Sequence, residues 1–263
     1  MRGLILAAGR GSRLKHLGSD RPKCMVELAG EPLIARQIAA LKRGGADDIG
    51  VVRGYRADMI SFPGITYFAN ERWAETNMVM SLAAAATWLR SGPVLVGYGD
   101  IFYRSDLVRR LAAAPGPLVV TYDRNWRQLW TRRFADPLAD AETFRLDAAG
   151  RLLEIGGKTT RIEDIQGQYM GLFKFTPPAW NVVEALLQSL DAAVLNRLDV
   201  TGLLGRLLVA NEFPIVTLPT DGQWGEIDCP EDVQLYQDML KEGSLQIEGV
   251  LSTAELRGGS AVS

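Results

Sequence analysis

Residues 4–11 read Leu-Ile-Leu-Ala-Ala-Gly-Arg-Gly, and after a short gap Arg-Pro-Lys follows at 21–23. An apolar strand ending in small residues lets a ligand approach the backbone, because Leu6, Ala7, Ala8, Gly9 and Gly11 leave the turn uncluttered. Backbone N–H groups in such a turn can cradle phosphate oxygens, with Arg13 and Lys23 supplying charge for a polyphosphate. Two phosphate-binding patterns fail here. The dinucleotide fingerprint needs a third glycine where Leu14 stands, and a P-loop needs a Gly-Lys-Ser/Thr end that this turn lacks. A basic loop after a first strand is the plain alternative. Two aspartates add to the case. Asp100 closes Tyr98-Gly99-Asp100 after an apolar run, so it should point into the crevice beside the turn and suit Mg²⁺ next to a triphosphate. Asp228, just before Cys229-Pro230, is a second candidate ligand. Each has a structural alternative: Asp100 as a turn residue capping the next helix, Asp228 as the N-cap of the helix opening at Pro230.

Lysine plus arginine (29) nearly balances aspartate plus glutamate (31), for a formal charge of −2. That leaves no electrostatic footprint for nucleic acid or an anionic membrane. The first residues are too short an apolar run for a signal peptide or anchor, and no later stretch reaches the length of a span. Cys24 and Cys229 lie far apart without metal-type spacing, so reduced thiols and a cytoplasmic location are expected.

The elements that would position these residues alternate. Strands are expected over 49–53, 65–68, 94–97 and 118–122. Helices are expected from Pro32 to about Leu41, over 78–89 and over 106–114. Helices between strands imply right-handed crossovers and an α/β layered fold with a largely parallel sheet, its ligands at the carboxyl ends of the strands. From 123 to 158 the pattern becomes polar and aromatic, with a hairpin over 143–146 and 152–155. Further strands (169–175, 214–218 and a short one at 224–227) and helices (179–190, 200–210 and 230–240) follow. One catalytic domain over 1–242 and a loosely held tail over 243–263 are expected.

The signature Leu-Ala-Ala-Gly-x-Gly-x-Arg-Leu followed by Pro-Lys occupies Leu6 to Leu14 and Pro22-Lys23. With Tyr98-Gly99-Asp100 and 225–232, it resembles the nucleotidyltransferase superfamily. The stretches 70–82, 136–142 and 167–172 are similar to the small bacterial cytidylyltransferases that activate phosphocholine or phosphonates such as 2-aminoethylphosphonate. The resemblance spans residue 1 to about 240. It implies a layered, Rossmann-like nucleotidyltransferase fold with a mixed, mostly parallel sheet. It also implies a single in-line displacement in which an acceptor oxygen attacks the α-phosphorus of CTP and pyrophosphate leaves. That reaction needs positioning and charge neutralisation more than a side-chain nucleophile, which suits a chain whose only histidine is His16.

On this resemblance Arg13 would hold the pyrophosphate, Lys23 would neutralise the α-phosphate, and Asp100 and Asp228 would carry Mg²⁺. Lys158 would serve the acceptor, and Asn77 and Ser81 would read the base. Trp126, Trp130, Tyr169 and Trp224 could form an aromatic cage for a quaternary ammonium, whereas Asp136, Asp140 and Glu142 would suit a primary amine. The resemblance leans toward a phosphonate acceptor. The partners expected are thus CTP and a small phosphonate or phosphomonoester, with neither nucleic acid nor membrane; a homodimer is compatible with the sequence. The alternatives are a sugar-1-phosphate nucleotidyltransferase, disfavoured because the segment around Asn77 lacks a glutamine-proline base loop, and a non-catalytic nucleotide-binding subunit on the same fold.

Overall fold

The computed structural model describes residues 1–11 and 20–256. Its strands are β1 (Arg2–Ala7), β2 (Glu27–Leu28), β3 (Glu31–Pro32), β4 (Asp48–Arg53), β5 (Ile65–Ala69), β6 (Val94–Tyr98) and β7 (Ile101–Phe102), then β8 (Leu118–Asp123), β9 (Phe144–Leu146), β10 (Leu152–Ile155), β11 (Gln168–Phe175), β12 (Ile215–Thr220) and β13 (Gly225–Glu226). The helices are α1 (Leu33–Arg43), α2 (Met78–Ala84), α3 (Ala86–Ser91), α4 (Ser105–Ala113), α5 (Trp126–Arg133), α6 (Pro177–Ser189), α7 (Ala192–Arg197), α8 (Val200–Ala210), α9 (Pro230–Lys241) and α10 (Thr253–Leu256). Seven strands form one sheet in the order β12-β8-β11-β6-β1-β4-β5. All its pairings are parallel except those of β11, which runs antiparallel to β6 and β8. This is the mixed, mostly parallel α/β sheet that the alternating pattern implies.

Successive side chains of a strand point to opposite faces, and β1 shows why the sheet is covered on both. Ile5 belongs to the core layer that includes Leu33, Ile38, Leu95 and Val108, under α1 and α4. Leu4 and Leu6 join Val79, Leu82, Val96, Phe173 and Trp180 on the other face, under α2 and α6. Each such side chain, fully buried, contributes about 1.5–3 kcal/mol. Among the described residues no helix is long and apolar enough to cross a membrane.

Several expectations are corrected in detail. The single helix expected over 78–89 is two, because buried Ala85 leaves helical geometry (φ −100°, ψ 20°) and α3 turns to pack on α6. Pro32 precedes α1 as its N-cap and does not sit in its first turn. The stretch 123–158 contains α5, whose Trp126, Leu129 and Trp130 face the core. The hairpin β9–β10 forms as expected, its turn held by Asp147 Oδ1, which accepts from Ala149 N and Arg151 N.

Residues 243–256 are not loose. Leu245 is buried, Arg36 Nη1 donates to Glu248 O at 3.0 Å, and the Glu248 carboxylate accepts from both Ser105 N and Ser105 Oγ. The segment therefore clasps α1 to the start of α4 and reaches Gly64, where an added Cβ would lie 2.6 Å from Leu256 O.

Candidate active site

Strand β1 ends in buried Ala7 and Ala8 and runs into the glycine turn. Beside it β6 gives way to Gly99, whose N donates to Leu6 O at 2.9 Å. A Cβ on Gly99 would meet Leu6 O at 2.8 Å and Ala7 Cα at 3.2 Å, so only glycine lets the two strand ends close up and carry Asp100 over the turn. The following β7 pairs antiparallel with β13, placing Ile101 opposite Glu226, and Ile227 N donates to Asp100 O at 2.9 Å. That two-stranded ribbon brings Asp228 to Asp100 from far along the chain. Lys23 arrives on a 3-10 turn (Lys23–Met25) anchored by buried Cys24.

These elements enclose a cleft of about 310 Å³. Leu6, Ala7, Gly9 and Gly11 line it together with Asn77, Met78, Tyr98, Lys23 and Asp100. Lys23 Nζ donates to Asp100 Oδ2 and to Asp228 Oδ1, each at 2.6 Å. With 14% of its side chain exposed, Lys23 is not a solvent-facing loop residue. Burial alone would lower its pKa, but Asp100, Asp228 and Glu226 outweigh that and hold it above the ordinary lysine value.

Glu226 is the third carboxylate. One oxygen from each of Asp100, Glu226 and Asp228 lies within 4.8 Å of the others. Burial, then the charges of Asp100 and Asp228, push the Glu226 carboxyl well above the usual range. Asp100 Oδ1 is buried with no hydrogen-bond partner among the described residues. An orphaned carboxylate oxygen beside two more carboxylates, already drawing in an ammonium, fits a hard divalent cation such as Mg²⁺, which takes oxygen ligands and keeps places for phosphate and water.

Arg133, on α5, fixes this group from behind. Its side chain is 1% exposed and forks onto Asp232, with Nε to Oδ1 at 2.9 Å and Nη2 to Oδ2 at 3.2 Å. It also lies 3.6 Å from Asp228 and 3.8 Å from Glu226. Asp232 Oδ2 in turn accepts from Asp228 N at 2.8 Å and Cys229 N at 3.1 Å. The N-cap of α9 is Cys229, completed by Asp232 in a capping box, so the capping alternative for Asp228 does not hold. Nor does Asp100 cap a helix, since α4 starts after Arg104.

Glu226 and Arg133 escaped the sequence reading. Glu226 sits two residues before Asp228, a spacing that could have flagged it. Trp126, Leu129, Trp130 and Arg133 share one helical face, which could have revealed α5, but nothing in the sequence joins Arg133 to Asp232.

The other expected residues divide. Leu6, Ala7, Gly9, Gly11, Lys23, Asn77 and Asp100 line the cleft, whereas Ala8 is buried beneath it, its carbonyl accepting from Tyr55 N. Arg13 lies outside the described residues. Asn77 caps α2, accepting from Met78 N at 2.8 Å, while its Nδ2 donates to Arg197 O. Ser81, on α2, is buried away from the cleft wall, its Oγ accepting from Asn70 Nδ2 at 3.0 Å, so it ties the helix to the loop before it. Lys158 also lies off the wall, donating to Asp140 O at 2.8 Å. Tyr169 stands behind Tyr98, ring centroids 5.9 Å apart and edge-on. Trp130 is corrected: its indole donates to Asp140 Oδ2, and with Trp126 and Trp224 it is packed into the core at 2–4% exposure, so these rings form no open cage.

Comparison with known proteins places the chain among nucleotidyltransferases. The chain is 34% identical to the CTP:phosphoglutamine cytidylyltransferase of Campylobacter jejuni over 251 residues, covering 89% of this chain and 98% of that protein. It is 27% identical to the 2-aminoethylphosphonate cytidylyltransferase of Lancefieldella rimae over 58% of this chain and 59% of the relative. Its fold matches the inositol-1-phosphate CTP transferase of T. maritima with a TM-score of 0.71 at 18% identity, over 92% of this chain and 96% of the other. Residues 3–168 match the model of the MobA-like NTP transferase domain, and the chain belongs to that family.

Proposed function

We propose that this protein transfers CMP from CTP to a small phosphorylated acceptor, releasing pyrophosphate, with Mg²⁺ as its metal. The convergence of Lys23, Asp100 and Asp228 at the glycine-rich turn carries this reading. An acceptor oxygen attacks the α-phosphorus as the bond to the leaving pyrophosphate oxygen breaks, so one P–O bond forms for one lost and no side-chain nucleophile is consumed. The turn from Gly9 to Gly11 seats the phosphates, and Lys23 places positive charge where negative charge builds. Asp100 and Asp228, with Glu226 beside them, would hold Mg²⁺, which supplies further charge neutralisation when bound. The relative that matches nearly end to end supports the choice of CTP.

The acceptor carries an amino group as well as phosphorus. Glu142 lies within electrostatic reach of both Lys158 and Asp199, and Asp199 within reach of Tyr98 on the cleft wall, which supports recognition of a zwitterion. Phosphoglutamine is the first candidate on the strength of that relative. The phosphonate favoured from sequence, 2-aminoethylphosphonate, is second. Phosphocholine comes last because the tryptophans that could have caged its quaternary ammonium are packed away.

The test is pyrophosphate release with Mg²⁺ and each of CTP, UTP, dTTP, ATP and GTP, against these three acceptors and a hexose-1-phosphate. Turnover with CTP and an amino-bearing acceptor is expected. A preference for UTP or dTTP with the hexose-1-phosphate would overturn the cytidylyl reading.

A further inference from the structure

The Lys23 ammonium stands at the point where the carboxylates converge, 2.6 Å from both Asp100 Oδ2 and Asp228 Oδ1. A divalent cation held between the same two carboxylates would have to take the space in which the ammonium stands. Two cations sharing that position would repel strongly, so ammonium and metal exclude one another.

Its path runs over the turn. A Cβ on Gly11 would fall 2.7 Å from Lys23 Cβ and 3.0 Å from Lys23 Cγ, so the aliphatic stem lies directly on the glycine where phosphates are expected to seat. Anionic oxygens arriving there would give the ammonium a second partner within reach of its own side chain.

We propose that Lys23 is a resident counter-ion that reserves the carboxylate site: a divalent cation enters only as Lys23 leaves, and a triphosphate on the turn draws Lys23 out. This rests on reading the cleft as a nucleoside-triphosphate site. It makes metal and nucleotide binding mutually supportive, since each removes a cost from the other.

The experiment is titration of the full-length protein with Mn²⁺, without nucleotide, followed by the electron paramagnetic resonance of the free ion. Lys23→Met keeps the stem and removes the charge, and it should bind Mn²⁺ at least about tenfold tighter than wild type, a change equivalent to ~1.4 kcal/mol. Lys23→Arg should stay close to wild type. Adding Asp228→Asn to Lys23→Met should abolish the gain. If Lys23→Met does not fold, Lys23→Gln, which keeps a donor for the carboxylates, carries the same expectation.

Affinity unchanged or weakened in the neutral variant would overturn the proposal, as would a gain that survives Asp228→Asn. For the second half, the lysine Nζ resonance that Lys23→Arg removes should shift when CTP is added in the presence of a chelator. A resonance unmoved at saturating CTP would refute the role given to the triphosphate. The Mn²⁺ titration contains no nucleotide, so an error in the choice of nucleotide or acceptor leaves its result intact.

Discussion

Replacing Arg133 by methionine removes a buried cation that faces Asp232, Asp228 and Glu226 together. The guanidinium is 1% exposed and forks onto Asp232, whose carboxylate also holds the backbone of Asp228 and Cys229. Removing one partner of a buried pair costs about 3–5 kcal/mol, because the remaining charge is left without compensation. For a chain of this size each kcal/mol moves the midpoint by ~2–4 °C, so a fall of roughly 6–20 °C is expected. Lysine restores the charge without the planar fork, so Arg133→Lys should recover part of the loss. Thermal melts and urea denaturation of both variants, at neutral pH and without metal, read this directly. A loss below ~1 kcal/mol in Arg133→Met would show that the cluster does not depend on Arg133 and would refute the reasoning.

Asp100→Asn and Asp228→Asn should each cut turnover severely, and the double variant should lose far less than the two effects summed, since either change disables the same centre; additive losses in steady-state rates would separate the two residues. Gly99→Ala must place its Cβ 2.8 Å from Leu6 O. It should cost about 1–3 kcal/mol in a denaturant melt and lower activity by displacing Asp100. Burial raises the pKa of Asp123 against the hydrogen bonds from Trp224 and Asn125. Its folded form therefore keeps a proton that the unfolded chain gives up near ~3.9, so this group's contribution to stability falls as pH rises through that value toward the raised folded one. Asp123→Asn should flatten that part of a stability–pH profile, and an unchanged slope would refute it.

What was legible in the sequence was local. An apolar run closing in small residues marks β1 and its turn, and Gly99 before Asp100 marks the end of β6, because close approach and strand ends are written in neighbouring residues. Pairings across the chain were legible only where the resemblance supplied them, as for Asp100 and Asp228. Glu226 joins Asp100 only through the ribbon of β7 and β13, and Arg133 meets Asp232 only after α5 folds back on α9. Aromatic residues misled for a related reason: Trp126 and Trp130 fall on one helical face, and that face turns to the core, not to a ligand. The segment after Glu242 looked loose by composition, yet the clasp of Arg36 and Ser105 on Glu248 depends on residues far upstream.

The most direct measurement follows the phosphorus. With CTP labelled at the α-position, Mg²⁺ and an amino-bearing phosphorylated acceptor, the label should appear in a cytidylyl–acceptor product while pyrophosphate stays unlabelled. Lys23→Ala should form that product slower by about 10²–10³-fold. Label in pyrophosphate, transfer from the γ-position, or full activity without Lys23 would contradict nucleotidyl transfer at this centre.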